Sequence, residues 1–391
     1  MTSTSLLHRS TESTRDADRR TFLRFGGASL IGAGALALIG CGKESATTPA
    51  ASTSAAPAAA TSAAGTAPND AALTPLTIAI IGDGRTGVFA SLRATEDGTG
   101  AGKLDRDIGA RITWQPGFTA SLPVMEGIKA GGVDFSFATA TAIVNAVAAG
   151  VPIVPLAAYA LPANEVDVLV QTASSIRGAA DLKGKKIAHQ NGTTGTYSLI
   201  KYLESAGLRL GDVQAVSLSG ADAYTAFAQG SIDAWIHWQP ASALALAKLG
   251  DKARTLPQVK TYDYAFYVAR SELAQRDPKA FARLVRLVRD TQRNIVAHPD
   301  ETVAAWAKLG GFAPGSADEK VYRQLIVDAR LSDSGAVDLR PVDEAAAAST
   351  QDMADSFQSL GVLPNKVDVR SFLLDPKFDE IKRLVAAELG A

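Results

Sequence analysis

Short apolar segments alternate with helix-like segments along residues 76–236, and this alternation constrains the fold more than any other feature of the sequence. The apolar segments are rich in β-branched residues and end at turn-forming residues, whereas the intervening segments have helical periodicity. The predicted strands are 76–81, 111–114, 133–137, 151–156, 167–172, 185–188, 213–218, 232–236 and 264–268. Because strands that alternate with helices form parallel βαβ units, we predict an α/β protein whose sheets are mostly parallel and flanked by helices.

The order of these strands predicts two lobes that the chain connects more than once. We assign residues 73–165 and 262–391 to lobe I and residues 166–261 to lobe II. Loops at the carboxyl ends of strands collect in the gap between such lobes, so we predict a ligand cleft there. The residues after 268 are largely helical, and one helix carries an arginine stripe that we interpret as a solvated face rather than a docking patch: Arg283, Arg286, Arg289 and Arg293.

The N-terminal segment has the pattern of an export signal. Residues 18–25 read DRRTFLRF, a twin-arginine pattern, and an apolar run follows at 25–40. This run is shorter than the ~20 residues that span a bilayer, which favours a signal peptide over a transmembrane anchor. The sequence LIGC at 38–41 resembles the lipobox of bacterial lipoproteins. We therefore predict that residues 1–41 form a twin-arginine lipoprotein signal peptide and that Cys41 is lipidated.

Residues 42–72 consist mainly of Ala, Ser, Thr, Pro and Gly. Such a stretch lacks the large apolar groups that could offset the entropy of ordering, so we predict a disordered tether. A lipid anchor followed by a tether would hold the folded part at the outer side of the cell membrane, in an extracytoplasmic location.

Charge, cysteine and histidine content exclude several classes of function. The net charge of −1 gives no indication of a nucleic-acid partner. Cys41 is the only cysteine, so the folded part has no disulfide, no cysteine nucleophile and no cysteine-based metal cluster. The histidines outside the signal segment, at 189, 237 and 298, do not have the spacing of metal ligands. We predict neither a metal nor a cofactor.

A Gly/Thr-rich turn between a predicted strand and a predicted helix is the main candidate ligand site. Residues 191–197 read NGTTGTY. A helix N-terminus presents unpaired backbone N–H groups at the positive end of the helix dipole, which suits an oxyanion. The candidate contacts are Gly192, Thr193, Thr194 and Thr196. The alternative is an ordinary N-cap formed by Thr193 or Thr194.

Three aromatic side chains follow at the end of a predicted strand of lobe II: Trp235, His237 and Trp238. An indole N–H donates a hydrogen bond without an acceptor that would repel an anion, and the ring can pack on an apolar tail. Strand alternation places Trp235 and His237 on one face and Trp238 on the other. The alternatives are packing between the lobes for Trp238 and a structural hydrogen bond for His237.

Three loops of lobe I occupy the positions that a cleft would use. Their candidate contacts are Arg85 and Thr86, Phe118 and Thr119, and Thr139 and Thr141. Arg85 is the only cation among them and is the candidate partner for an anionic head group. The alternative is that it is a surface arginine.

Several motifs in this chain occur in a familiar order. They read PVMEG at 123–127, GVDF at 132–135, ADLKGKKIA at 180–188, GTTGTY at 192–197, AGL at 206–208 and DAWIHWQP at 233–240. From about residue 75 to residue 391 the chain thereby resembles the sulfonate, nitrate and taurine family of ABC-transporter substrate-binding proteins. Relatives often have Asp where this chain has Gln239, and residues 82–118 depart from the family pattern.

The resemblance implies a two-lobed, periplasmic-binding-protein-like (type II) fold and the role of extracytoplasmic solute-binding component of an ABC importer. It implies a monomer that binds a small anion, an aliphatic sulfonate or taurine-like compound, by hinge closure, and that delivers it to a permease and its ATPase. The alternatives are a binding protein for nitrate, bicarbonate or a neutral, thiamine-pyrimidine-like heterocycle, and an exported ligand-sensing domain without transport. Aromatic candidates favour a ligand with an organic tail over nitrate or bicarbonate.

The sequence favours a binding protein over an enzyme. It contains neither a Gly-x-Ser-x-Gly nucleophile elbow nor a phosphate-binding P-loop. The enzymatic relatives of this fold that handle thiamine precursors carry a Cys-rich motif that is missing here. The alternative is a hydrolase or synthase with the same fold.

Overall fold

The computed structural model describes residues 74–94, 103–258, 260–261, 263–332 and 337–391. These residues belong to one compact unit, Thr66–Ala391. The predicted signal peptide, the predicted lipidation site Cys41 and the predicted tether lie outside the described residues.

Ten strands and fourteen α-helices make up this part of the chain. In chain order they are β1 (Thr74–Ile81), α1 (Gly87–Ala94), α2 (Lys103–Ile108), β2 (Ala110–Phe118), α3 (Ser121–Lys129), β3 (Phe135–Thr139), α4 (Ala140–Ala148), β4 (Ile153–Ala160), β5 (Val166–Gln171), β6 (Lys186–His189), α5 (Thr194–Glu204), β7 (Gln214–Ser217), α6 (Gly220–Ala228), β8 (Ala234–Trp238), α7 (Ala241–Leu249), β9 (Ala253–Thr255), β10 (Tyr264–Arg270), α8 (Ser271–Arg276), α9 (Pro278–Ala297), α10 (Pro299–Lys308), α11 (Ala317–Val327), α12 (Glu344–Ser359), α13 (Val369–Leu373) and α14 (Asp379–Leu389).

The strands form two five-stranded mixed sheets. The first sheet has the order β2-β1-β3-β10-β4, and the second has the order β7-β6-β8-β5-β9. In each sheet four strands run in one direction and a single strand, β10 or β5, is antiparallel to both of its neighbours. The prediction of an α/β protein with two sheets flanked by helices is therefore confirmed, and the sheets are mixed, because two of the four strand pairings in each are parallel and two are antiparallel. We refer to the first sheet with its helices as lobe I and to the second with its helices as lobe II.

Strand alternation explains why helices cover both faces of each sheet. Ile78 and Ile80 of β1 belong to the hydrophobic core that contains residues of α1, α9 and α14, whereas Ala79 between them belongs to the core that contains residues of α3, α4 and α12. In lobe II, Ile236 and Trp235 are divided in the same way between two smaller cores. A strand whose successive side chains are all buried needs a helix layer on each side.

Two segments connect the lobes. The first lies between β4 and β5, and the second lies between β9 and β10. They contact each other through a hydrogen bond in which the Leu161 N–H donates to the Asp263 carbonyl at 2.9 Å. Both lobes are therefore joined at one place, where small backbone rotations can move one lobe relative to the other.

The arginine stripe of α9 is only in part the solvated face that the sequence predicts, because Arg293 is exposed but the other three arginines are partly or fully buried. Arg289 is only 8% exposed and donates to the carbonyl of Leu389, and Arg283 donates to the carbonyl of Ile108. Arg286 forms an ion pair with Glu388 at 2.8 Å. These arginines were misassigned because α14 and the end of α2, which are distant in sequence, supply acceptors that helical periodicity alone does not reveal.

Two predicted boundaries differ from the structure for identifiable reasons. The strand predicted at 111–114 extends to Phe118, because β2 is an edge strand, where Pro116 costs no ladder hydrogen bond. The helix that was predicted to follow the Gly/Thr-rich turn at 191–197 begins within it, at Thr194, because Thr193 forms its N-cap. Within the described ranges, no helix combines the length and the apolar character that crossing a membrane requires.

Candidate functional site

A cavity of about 190 Å³ lies between the two lobes. It is smaller than the roughly 300–1,000 Å³ of common ligand pockets, so it suits a small molecule. Its lining comes from lobe I, lobe II and the segment that first connects them: Ile80, Ile81, Thr86, Gly87, Val88, Phe89, Ala120, Ser121, Leu122, Phe137, Thr139, Thr141, Ala142, Glu165, Gly192, Thr193, Thr194, Trp238, Gln239, Pro240, Trp306, Tyr322, Leu331 and Ser332.

Five helices begin at this cavity. Lining residues occupy the N-terminal ends of α1, α3 and α4 from lobe I and of α5 and α7 from lobe II. Each of these helices follows the carboxyl end of a strand of its sheet, which is where ligands bind in open α/β folds. Every helix N-terminus presents unsatisfied N–H groups and a partial positive charge. These helix ends therefore place partial positive charges at several points of the cavity wall.

The Gly192–Thr194 turn lines the cavity and caps α5 at the same time. The Thr193 hydroxyl accepts from the Gly195 N–H at 3.2 Å and donates to the Gln190 carbonyl at 2.6 Å. Thr193 is thus the N-cap that the alternative interpretation predicted, and it also lines the cavity. Gly192 adopts a φ of +70°, a left-handed conformation that other residues rarely adopt.

The backbone of this turn, rather than its hydroxyls, is available to a ligand. The Thr194 hydroxyl donates to Oδ2 of Asp263 at 3.1 Å, so its hydrogen is used within the protein. In contrast, the backbone N–H groups of Gly192, Thr193 and Thr194 have no acceptor among the described residues. Three adjacent amides at the start of a helix can bind an oxyanion.

A hydroxyl cluster from lobe I lines the same cavity. The hydroxyl oxygens of Thr139 and Thr141 lie 2.8 Å apart, and the Thr139 N–H donates to the Ser121 hydroxyl oxygen at 3.3 Å. One threonine hydroxyl donates to the other, which leaves the second hydrogen free to point at a ligand. Neither Ala120, the N-cap of α3, nor Thr139, the N-cap of α4, caps its helix through a side chain.

Of the three predicted aromatic contacts, Trp238 lines the cavity, whereas Trp235 and His237 do not. Trp238 is half-buried and lines the cavity, where its ring lies beside the start of α5: a Cβ on Gly195 would be 3.6 Å from Trp238 Cζ3. Trp235 and His237 are on the opposite face of β8, and neither lines the cavity. Trp235 packs against Tyr224 and Phe227 in the core of lobe II.

His237 is a core residue in this structure. It is 5% exposed and its ring centroid lies 5.2 Å from that of Trp235. A Cβ on Gly220 would be only 2.7 Å from His237 Nε2, so the start of α6 covers the imidazole. Burial lowers the pKa of His237 to about 4, which keeps the ring neutral near pH 7.

Four other predicted contacts lie outside the cavity lining. Arg85 is exposed, and its guanidinium donates to the carbonyl of Gly310 at 3.2 Å. Thr119 is exposed, and Phe118 lies against Gly127 beneath α3. Thr196 is fully buried and donates to the carbonyl of Gln190 at 2.8 Å. The structure therefore supplies no cation at the site from Arg85.

The cavity also contains residues that the sequence did not indicate. They are chiefly Ser121, Phe137, Glu165, Gln239, Trp306 and Tyr322. Trp306 and Tyr322 come from α10 and α11, and their rings contact each other at 5.7 Å between centroids. Gln239 was noted only as a departure from a family pattern, and its amide donates to Asp167 Oδ2 at 2.6 Å.

The electrostatics of the site depend on carboxyl groups and helix ends. Among the described lining residues, no Lys, Arg or His side chain is present, and Glu165 is the single acidic one. Asp263 is buried behind Thr194, and desolvation raises its pKa to about 7 even though hydrogen bonds from Tyr264 and Thr194 favour the charged form. The same part of the chain contains no group of three or more His, Cys, Asp or Glu residues that could hold a metal ion.

Comparisons with known proteins identify relatives of this chain. The NMT1/THI5 like family model matches residues 115–302. The chain is 28% identical over 220 residues to the taurine-binding periplasmic protein of Escherichia coli, a match that covers 54% of this chain and 67% of that protein. It is 27% identical to the periplasmic aliphatic sulphonate binding protein SsuA from Escherichia coli, with a TM-score of 0.62 over 76% of this chain and 90% of that structure.

More distant structures share the fold. The alkanesulfonate-binding protein SsuA from Xanthomonas axonopodis pv. citri, solved with bound MOPS, is 24% identical and has a TM-score of 0.64 over 76% of this chain and 96% of that one. The desulfurization enzyme DszB is 16% identical, with a TM-score of 0.53 over 81% of this chain and 99% of that one. The predicted periplasmic-binding-protein-like fold is thus confirmed, and this fold also occurs in an enzyme.

Proposed function

We propose that this chain, which belongs to the family of substrate-binding proteins that includes the aliphatic sulfonate- and taurine-binding proteins, captures a small organic sulfonate for an ABC importer. The observation that carries the proposal is the convergence of five helix N-termini on one cavity whose described lining residues include no cation. Sulfonate oxygens accept several hydrogen bonds at once and need no proton from the protein. A cavity lined by backbone amides and hydroxyls meets that need.

Hydrogen bonds alone can supply the affinity that such a protein requires. A hydrogen bond to a charged group contributes roughly 1.5–3 kcal/mol. Three or four of them approach the ~8 kcal/mol of micromolar binding before the cost of association is subtracted. The amides of Gly192, Thr193 and Thr194 and the hydroxyl pair of Thr139 and Thr141 provide this number of donors. The apolar wall, which includes Phe89, Phe137 and Leu331, would pack against the carbon chain of the ligand.

The division of the site between the lobes supports a hinge mechanism. Lobe I contributes the hydroxyl cluster and lobe II contributes the turn at the start of α5, so a single sulfonate can contact both. The closed form would be stabilised by the ligand and recognised by the permease, whose ATPase drives transport. The protein would act as a monomer outside the cytoplasm.

A thermal-shift series on the full chain tests the ligand class. We expect butane-1-sulfonate and other short alkanesulfonates to raise the melting temperature, because a ligand present at 100 times its Kd stabilises the folded state by about 2.7 kcal/mol. Nitrate and bicarbonate, which have no carbon chain to contact the apolar wall, should have little effect at the same concentrations. A response to neutral thiamine-pyrimidine-like heterocycles alone, or to no sulfonate at all, would contradict the proposal.

We also propose that the protein binds its ligand without catalysing a reaction. The cavity residues that could act as an acid or base are Glu165 and, half-buried, Tyr322, whose hydroxyl lies 3.4 Å from that of Thr86. Burial raises the pKa of Tyr322, which keeps its phenol protonated. The relatives reported above at more than 25% identity are binding proteins.

We also propose that Cys41 carries a lipid anchor and that the twin-arginine pattern directs export. Cys41→Ser should release the mature protein from the membrane fraction into the soluble fraction, because the thiol is the site of acylation. Fractionation combined with labelling by a palmitate analogue measures the change. The matched control replaces Arg19 and Arg20 by Lys, which should leave unprocessed chain inside the cell. Membrane retention and labelling of the Cys41→Ser chain would refute the anchor.

A further inference from the structure

A buried carboxyl group lies where the two connections between the lobes meet the candidate anion site. Asp263 is 2% exposed and belongs to the second connecting segment. Its backbone carbonyl accepts from the Leu161 N–H of the first connecting segment at 2.9 Å. Its side chain extends to the start of α5, where Oδ2 lies 3.1 Å from the hydroxyl oxygen of Thr194. Asp263 therefore contacts both connections and a residue that lines the cavity.

The surroundings of Asp263 disfavour a negative charge on its side chain. Among the described residues, the carboxyl group accepts two hydrogen bonds, from the Thr194 hydroxyl and from the Tyr264 N–H at 2.7 Å, and forms no ion pair. A buried carboxylate without a cationic partner is destabilised by the loss of water, which raises the pKa of Asp263 to about 7. Near neutral pH the protein therefore contains both the acid and the carboxylate.

The protonation state of Asp263 determines which acceptor the Thr194 hydroxyl can serve. When Asp263 is ionised, the hydroxyl donates to it, and its hydrogen is not available to a ligand. When Asp263 is protonated, its own hydroxyl can donate to Thr194 Oγ1 across the same 3.1 Å, and the Thr194 hydrogen can turn toward the cavity. The protonated state thus adds a donor beside the backbone amides of the 192–194 turn and removes a negative charge behind them.

We propose that ligand binding is linked to protonation of Asp263, so that the anion binds to the protein with Asp263 in the acid form and the Thr194 hydroxyl donates to the ligand. This inference rests on the proposed function and adds pH as a determinant of its affinity. An anion on the amides and an ionised Asp263 would repel each other across the first turn of α5 and would compete for the same helix dipole. Where Asp263 is ionised in the free protein, binding should therefore take up a proton, and the dissociation constant should rise with pH.

Other titratable side chains must be separated from Asp263 in any test of pH dependence. On the elements around it, namely the first connecting segment, β6, α5, β10 and α12, they are Glu165, His189, Tyr197, Tyr264 and Asp352. Burial raises the pKa of Tyr197 to about 12 and lowers the pKa of His189, so the phenol stays protonated and the imidazole stays neutral between pH 7 and 9. Glu165 lines the cavity and is the carboxyl group that most needs its own variant.

Calorimetric titration of the full chain with butane-1-sulfonate at pH 6 and at pH 9 tests the inference, because the sulfonate keeps its charge over this range. We expect the native protein to bind at least tenfold more weakly at pH 9. At pH 8, titrations in buffers that differ in enthalpy of ionisation should reveal uptake of at least about 0.3 proton per ligand bound. Asp263→Asn, whose amide can donate to Thr194 Oγ1 as the acid does, should bind at pH 9 as tightly as the native protein binds at pH 6, without proton uptake.

The role of the hydroxyl is tested by a pair of substitutions at one position. Thr194→Val cannot donate to the ligand and should bind butane-1-sulfonate at least fivefold more weakly than the native protein at pH 6, where Asp263 is protonated. Thr194→Ser keeps the hydroxyl and should restore native affinity. Native affinity of the Thr194→Val protein at pH 6 would overturn the inference.

Asp352→Asn is the matched control, since it removes an exposed carboxyl group of α12 near Tyr197 and leaves Asp263 in place. It should retain the pH dependence and the proton uptake. The inference would be wrong if the pH dependence persisted in Asp263→Asn and disappeared in Glu165→Gln, or if the native protein bound equally well at pH 6 and pH 9. Either result would leave the proposed function standing, whereas failure of butane-1-sulfonate to bind at both pH values would overturn both.

Discussion

Asp263→Asn is expected to stabilise the protein at pH 8 by on the order of 4 kcal/mol, which is the cost of a carboxyl pKa raised from 3.8 to about 7 by burial. Because the folded state binds this proton more tightly than the unfolded state, the native protein should lose stability as the pH rises from 3.8 to about 7. Asparagine resembles the protonated acid: its carbonyl can accept from the Tyr264 N–H, and its amide can donate to the Thr194 hydroxyl. Urea denaturation across this pH range measures the effect.

A second buried aspartate provides the control for this substitution. Asp167 is 2% exposed but pairs with Arg330 at 2.9 Å and accepts from the Gln239 amide and the Ser242 hydroxyl. Asp167→Asn should therefore destabilise the protein at pH 8, because it leaves the donors around it without a charged partner. A native unfolding free energy that increases between pH 4 and 7, or an Asp263→Asn variant that is less stable at pH 8, would contradict the assignment of Asp263 as a destabilising acid.

Trp235→Ala should lower the free energy of unfolding by about 3–5 kcal/mol, the usual cost of removing a large aromatic side chain from a core. Trp235 is 2% exposed, and its ring contacts Tyr224, Phe227 and His237. The space left in the core of lobe II cannot be filled by these rings without leaving their rotamers. Chemical denaturation at a pH near 7 measures the change directly.

Trp238→Ala is the matched partner, three positions along the same strand and on its other face. Since Trp238 is half-buried in the cavity wall, its removal should cost only about 1 kcal/mol of stability through the lost ring contact with His237. Sulfonate binding should weaken at least tenfold, because the indole lies beside the start of α5. The assignment of the two faces of β8 would be wrong if Trp238→Ala unfolded the protein as readily as Trp235→Ala and left the dissociation constant unchanged.

The fold could be predicted well from the sequence because its elements are set by local patterns. Every predicted strand overlaps a strand of the structure, since short β-branched runs bounded by Gly, Asn and Asp have few other interpretations. The turn at residues 192–194 was likewise recognisable, because a Gly/Thr-rich stretch between a strand and a helix is a local signal. The insertion of β10 between β3 and β4 could not be derived, since strand order depends on contacts between distant residues.

The site was only partly predictable, for the same physical reason. Alternation separated Trp238 from Trp235 and His237 but could not tell which face of β8 is turned to the cavity. Trp306 and Tyr322 occur in amphipathic helices, where an aromatic residue is ordinarily a core residue, and nothing local marks them as cavity residues. Arg85 was favoured because it was the one cation among the candidate loops, whereas the structure places it against the carbonyl of Gly310.

Because β10 lies between β3 and β4, the first sheet can form only late in the synthesis of the chain. Strand β4 ends at Ala160, and the strand that separates it from β3 begins only at Tyr264. During synthesis, the N-terminal half therefore exposes two unpaired strand edges until all of lobe II has emerged from the ribosome, and open edges of this kind are templates for aggregation. The twin-arginine pattern predicts an export route that carries proteins across the membrane only after they have folded. Export by that route would begin after β10 has paired with β3 and β4.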